Sequence, residues 1–180
     1  MKALVIIDYV NDFVADGGAL TCGQPAQEAD DYIAAAAADF SKDGNFVVIA
    51  SDNHQKNDRR SPEYRLFPAH CIEGTAGSEL YGKTREAVRK VPEDLLIRSD
   101  KCRYSAFAGT HLDIKLRERG ITDLYLTGVC TDICVLHTAV DAYNLGYTLF
   151  ICEKGVVSFN PEGHRFALSH MKNILGASVI

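Results

Sequence analysis

Five apolar runs, most of them separated by a segment that can form a helix, constrain this chain more than any other feature. The first, Ala3–Ile7, is uninterrupted and ends at Asp8. A strand with one wet face alternates apolar and polar residues, whereas a continuous run reads as a strand covered on both faces, as in a parallel sheet. The second, Phe46–Ala50, follows an Ala-rich segment, Ala26–Phe40, that reads as one helix ending before Gly44. Strand, helix, strand implies a crossover and therefore parallel pairing. Leu95–Arg98, Leu124–Thr127 and Thr148–Cys152 continue the pattern, and Ser178–Ile180 reads as a short terminal strand. Helical patterns at Leu80–Val88, Leu112–Arg119 (closed by Gly120), Asp132–Leu145 and after Pro161 occupy the intervals, the last with Phe166, Ala167, His170 and Ile174 as its apolar stripe. The expected fold class is α/β: a Rossmann-like, three-layer α/β/α domain with a mainly parallel sheet of about six strands.

At 180 residues, with 47% hydrophobic and 24% charged residues, one domain spanning 1–180 is expected. The net charge of −5 comes with no basic block, which argues against nucleic acid and anionic membrane as partners. The first apolar run is too short for a signal peptide, and no run approaches the ~20 residues of a membrane helix. The six cysteines show no scaffold spacing, so a reduced, cytoplasmic protein is expected.

In open α/β sheets, ligands bind at the C-terminal ends of the strands, and polar residues collect there. Asp8 ends the first run. Ser51-Asp52-Asn53-His54 ends the second, and i, i+2 spacing in extended chain points Asp52 and His54 to one side. The long irregular stretch Gln55–Gly77 carries Glu63 and His70, and loops of that length in a compact domain are commonly functional. Two imidazoles with two carboxylates form a donor set suited to zinc, manganese or iron. Lys101 lies just beyond the third strand. Gly128–Val135, Gly-Val-Cys-Thr-Asp-Ile-Cys-Val, reads as a sharp strand-to-helix turn with Thr131 or Asp132 as N-cap. Cys134 then falls in the first helical turn, where unpaired N–H groups and the helix dipole favour a thiolate.

Each residue alone has an ordinary explanation: Asp8 a loop cap, Lys101 a surface lysine, Cys134 a small core residue. Together, at one sheet edge, they supply a nucleophile, a proton acceptor and a cation, the parts of an acyl-transfer site. Asp8 and Asp12 invite comparison with aspartyl-phosphate phosphatases, but Val10 stands where their Asp-x-Asp motif has its second carboxylate. A redox or metal-binding role for Cys130 with Cys134 is disfavoured, because their spacing is not Cys-x-x-Cys.

Five segments carry a resemblance to a known family: Ile6-Ile-Asp-Tyr-Val-Asn-Asp-Phe13, Asp52-Asn-His54, Phe67-Pro-Ala-His-Cys-Ile-Glu-Gly-Thr-Ala-Gly77, Lys101 with Tyr104-Ser-Ala-Phe107, and Gly128–Val135. Over essentially its whole length the chain resembles the isochorismatase-like cysteine hydrolases, and among them the nicotinamidases. The resemblance implies that Cys134 attacks an amide carbonyl, that Asp8 accepts and returns the proton, and that Lys101 supports the charge. It implies an oxyanion hole from the backbone N–H groups of Cys130 and Cys134, beside a cis peptide at Val129–Cys130. It implies one divalent metal ion, zinc first with manganese or iron as alternatives, on Asp52, His54 and His70. Glu63 matches a fourth ligand found in only some members. Phe13, Phe67 and Tyr104 would wall a flat ring. The implied reaction is hydrolysis of nicotinamide, and also pyrazinamide, with a carbamoyl or ureido substrate as the alternative. The family also implies a homo-oligomer. Many relatives have Trp inside Asp-x-His, so Asn53 here predicts a more open rim and larger or ring-substituted amides.

Overall fold

The computed structural model describes residues 1–180 and contains six strands: β1 (Lys2–Ile7), β2 (Phe46–Asp52), β3 (Leu96–Lys101), β4 (Asp123–Val129), β5 (Thr148–Val157) and β6 (Ser178–Val179). They lie in the order β3-β2-β1-β4-β5-β6, with every ladder parallel. The helices are α1 (Asn11–Val14), α2 (Gln24–Glu28), α3 (Asp30–Lys42), α4 (Pro62–Leu66), α5 (Gly82–Val88), α6 (Leu112–Glu118), α7 (Leu136–Asn144) and α8 (Pro161–Asn173).

The uninterrupted run in β1 does what its composition predicts. Ala3, Val5 and Ile7 pack on one face with Leu116, Ala139 and Met171, while Leu4 and Ile6 pack on the other with Ile33 and Val88. Side chains of a strand alternate faces, so a strand covered twice must be apolar throughout. Helices α6, α7 and α8 cover the first face, and α3 and α5 the second.

From β1 the chain winds to one side through β2 and β3, then crosses to the other side for β4, β5 and β6. Loops leave in opposite directions at such a switch point and open a crevice over the strand ends. There the end of β4 presses on the end of β1: Gly128 has φ +110°, and a Cβ on it would lie 1.9 Å from the Ile7 carbonyl oxygen. No helix is long and apolar enough to cross a membrane.

Several local expectations need correction. The Ala-rich segment forms two helices rather than one, broken at Ala29. Beside the break, the Asp30 carboxylate accepts hydrogen bonds from the N–H groups of Lys83 and Thr84 and so caps α5, a tertiary demand that Ala content cannot reveal. Helix α1 opens the stretch after Asp8, and α4 interrupts the irregular region after Gln55. The stripe of α8 is rotated by one residue. Ala167 and Met171 are buried, with Leu168 and Leu175 packed beside them, whereas Phe166 and Ile174 are each 62% exposed. Both rows are apolar enough to satisfy the period, so periodicity alone does not choose between them.

Candidate active site

Three strand ends bring three charged groups together. Asp8 follows β1 with a left-handed φ of 52°; its N–H donates to Ala50 O and its Oδ1 accepts from the Asp52 N–H at 2.7 Å. Lys101, the last residue of β3, is only 3% exposed, so the surface-lysine explanation fails. Its Nζ donates to Asp52 Oδ1 at 2.5 Å and to Arg103 O at 3.1 Å. The same ammonium stands 2.6 Å from Asp8 Oδ2 as an ion pair, and 3.8 Å from Cys134 Sγ. Asp8 Oδ2 is buried and accepts no aligned hydrogen bond. Carboxylate oxygens of Asp8 and Asp52 and the sulfur of Cys134 lie within 4.8 Å of one another.

Environment separates the two aspartates. Burial, reinforced by the charge of Asp52, pushes Asp8 up to about 6, with Lys101 pulling the other way. Asp52 is also buried, but Lys101 and His54 outweigh that penalty and hold it below the usual carboxylate range. Burial opposes the charge on Lys101 too, yet Asp8, Cys134 and Asp52 hold its ammonium well above the usual lysine range. The expected thiolate at Cys134 is not what this environment favours. Burial and the neighbouring Asp8 push its thiol well up, and Lys101 only partly compensates. The arrangement favours the neutral thiol, beside a carboxylate that is a better proton acceptor than an ordinary aspartate.

Cys134 sits in a π-helical turn, Thr131–Val135, that leads into α7. Neither Thr131 nor Asp132 caps this turn. Cys130 occupies the N-cap position, its carbonyl accepting from Ile133 and Val135. Thr131 Oγ1 pairs with His164 Nδ1 at 2.9 Å, and the Asp132 carboxylate faces the start of α8 near Gly163. The Val129–Cys130 peptide is cis, and the Cys130 N–H donates to no group of the chain. All six cysteines are free. The Cys130 thiol contacts Cys22 Sγ at 3.3 Å rather than pairing with Cys134.

Next to this group, His54, His70, Asp52 and Glu63 point at a common centre. His54 Nε2 lies 3.6 Å from Asp52 Oδ2 and 3.7 Å from Glu63 Oε2; His70 Nε2 lies 3.9 and 3.7 Å from the same oxygens. Donors bound to one zinc at about 2.0–2.1 Å stand roughly 3.3–3.4 Å apart in a tetrahedron, so these spacings need only a slight contraction. His54 Nε2 is buried with no hydrogen-bond partner. The His70 Nδ1–Pro68 O contact of 2.8 Å makes Nδ1 the protonated nitrogen and leaves Nε2 with a lone pair toward the centre. The four residues therefore fit a divalent cation. Glu63, drawn from α4, belongs to the group geometrically.

A cavity of about 380 Å³ opens over both clusters. Phe13, Phe67, Tyr104, Asp52, Glu63, His70, Cys130 and Cys134 line it, together with Leu20, Thr21 and Phe159, which sequence reasoning missed. Nothing local marks those three, since their loops reach the cavity only through the fold. Asn53 is not part of the lining. Its amide donates to Asp100 at 3.2 Å, so the open rim expected from Asn53 is not what shapes this cavity.

The Isochorismatase domain family matches residues 2–180. The chain is similar to the structure of nicotinamidase/pyrazinamidase PncA from Bacillus subtilis: 54% identity, TM-score 0.96, covering 99% of this chain and 98% of that one. The pyrazinamidase/nicotinamidase of Streptococcus mutans UA159 is 48% identical with TM-score 0.97 over the whole of both chains. The pyrazinamidase of Pyrococcus horikoshii, solved in complex with zinc, is 29% identical with TM-score 0.87, covering 99% of this chain and 98% of that one.

Proposed function

This chain belongs to the isochorismatase family, and from that premise we propose that it is a metal-dependent cysteine amidohydrolase converting nicotinamide to nicotinate and ammonia. One observation carries the reading: Cys134, with Asp8 and Lys101 beside it, opens into the same cavity as Asp52, Glu63 and His70 of the four-donor cation cluster. In the first step Asp8 takes the thiol proton as Cys134 Sγ bonds to the amide carbon. The free N–H of Cys130, with that of Cys134, donates to the oxyanion that forms. Collapse breaks the C–N bond, and Asp8 delivers its proton to the departing nitrogen, leaving a thioester and ammonia. A water then gives a proton to Asp8 and its hydroxide to the acyl carbon, releasing nicotinate and restoring the thiol. Lys101 keeps Asp8 in reach of ionisation throughout. Phe13, Phe67 and Tyr104 wall the aromatic ring. When bound at Asp52, His54, Glu63 and His70, a divalent ion, zinc first, supplies a Lewis-acid contact for the ring nitrogen.

Pyrazinamide, which keeps that nitrogen and the amide, is a second substrate on this reading. A carbamoyl or ureido compound lacks the ring nitrogen and would leave the donor cluster without a task. One hydrolase domain over residues 1–180, a cytoplasmic role in NAD salvage and a homo-oligomeric assembly complete the proposal. Six free cysteines suit a reducing compartment, and the exposed Phe166 and Ile174 suit self-association. The test is ammonia release from nicotinamide and benzamide, with and without chelator. Benzamide has the shape and amide but no ring nitrogen, so it should be cleaved far more slowly. Equal rates would remove the ring-anchoring role, and the nicotinamidase assignment with it.

A further inference from the structure

We propose that Asp12 is a positioning residue whose carboxylate holds the His70–Cys71 peptide, and with it one imidazole of the cation site, an inference that rests on the metal-dependent reading. Asp12 belongs to α1 and reaches across to the loop that carries His70. Its Oδ2 accepts the Cys71 N–H at 2.7 Å. Cys71 is fully buried and has φ 46°, a left-handed conformation that a non-glycine residue keeps only where its surroundings hold it. A charge-assisted bond to its N–H is such a hold.

Two glycines make room for the arrangement. A Cβ on Gly77 would lie 2.2 Å from Asp12 Oδ2, and one on Gly18 would lie 2.5 Å from the Asp12 carbonyl oxygen. That carbonyl accepts from the Leu20 N–H at 2.9 Å, so the same residue fixes a wall of the cavity. Its neighbours add to the grip: Asn11 Nδ2 donates to Ala76 O at 2.7 Å, and the Phe13 ring packs on His70 with centroids 5.6 Å apart. His70 is thus held at Nδ1 by Pro68, beside its ring by Phe13 and along its backbone by Asp12. Asp12 touches neither the reacting atoms nor the donor centre, so it acts through His70.

The experiment uses the full chain with Asp12→Ala and Asp12→Asn. Competition with a chromophoric chelator reads zinc affinity directly. Asp12→Ala should weaken it about 10–100-fold, the usual effect of removing a group that orients a ligand. Asp12→Asn keeps an acceptor oxygen and should recover most of the loss. Amide exchange at Cys71 in the metal-free protein gives a second reading that zinc does not enter: it should be faster in Asp12→Ala and intermediate in Asp12→Asn. Wild-type zinc affinity or unchanged Cys71 exchange in a folded Asp12→Ala protein would overturn the proposal. If Asp12→Ala does not fold, the comparison of Asp12→Asn with wild type decides, and equal values in both measurements overturn it. A wild-type protein with no zinc affinity, but with Cys71 exchange accelerated by the substitution, would remove the metal reading and leave the hold on the loop standing.

Discussion

Lys101 touches two buried carboxylates with one ammonium, and this contact sets the electrostatics of the site. Lys101→Met should cost about 3–5 kcal/mol in urea denaturation, because Asp8 and Asp52 would be left buried without their partner. A loss no larger than that of an exposed lysine would mean the two pairs are not coupled to folding. Cys134→Ala should abolish ammonia release while leaving the fold and the metal content intact. Cys130→Ala should be much milder, because the proposed mechanism uses only the Cys130 N–H and its thiol faces Cys22. Asp8→Asn keeps the size but cannot take the thiol proton, so turnover should fall by about 10²–10⁴-fold or more. Substantial activity in that variant would move the base elsewhere. At this scale the placement of Asp8, Lys101 and Cys134 was legible because each lies at or shortly after a strand end, where a parallel sheet collects chemistry. The state of the thiol was not. The helix-dipole argument weighs one favourable field, whereas burial and the adjacent Asp8 act against the thiolate and prevail. Leu20 and Phe159 were silent because no spacing rule joins loops so distant in sequence.

At the scale of elements, the ends of β1 and β4 meet with no room for a side chain at Gly128. Gly128→Ala would place a methyl group on the Ile7 carbonyl in a backbone region that suits only glycine. A destabilisation above about 4 kcal/mol is expected, since clash and left-handed strain combine. A near-neutral thermal shift would mean that the two strand ends do not meet as described. The start of α8 offers a gentler test. Asn160 caps it by accepting the Gly163 N–H, so Asn160→Ala should cost about 1 kcal/mol. Strands were readable because burial on both faces leaves an unbroken apolar run. Helix breaks and helix phase were not, because the break at Ala29 and the buried row of α8 are decided by Asp30 and by partners from other elements.

Over the whole molecule, the cation centre joins β2, α4 and the loop before α5, segments that only the complete fold holds together. Zinc at 100 times its dissociation constant should therefore stabilise the protein by about 2.7 kcal/mol, provided the unfolded chain binds it weakly. Chelation should lower the melting temperature accordingly, and the absence of any shift would count against binding at this centre. The mainly parallel sheet of about six strands was legible because crossover connections impose parallel pairing, whereas the strand order emerges only from the fold.

The strand order also has a consequence for synthesis. Because β1 is flanked by β2 on one side and β4 on the other, a ribosome that has released residues up to Lys101 has made all four cation donors, Asp8 and the lysine, but no nucleophile. The edge of β1 that will receive β4 is then open. Synthesis thus supplies every charged group of the site before the sulfur that comes to stand beside them.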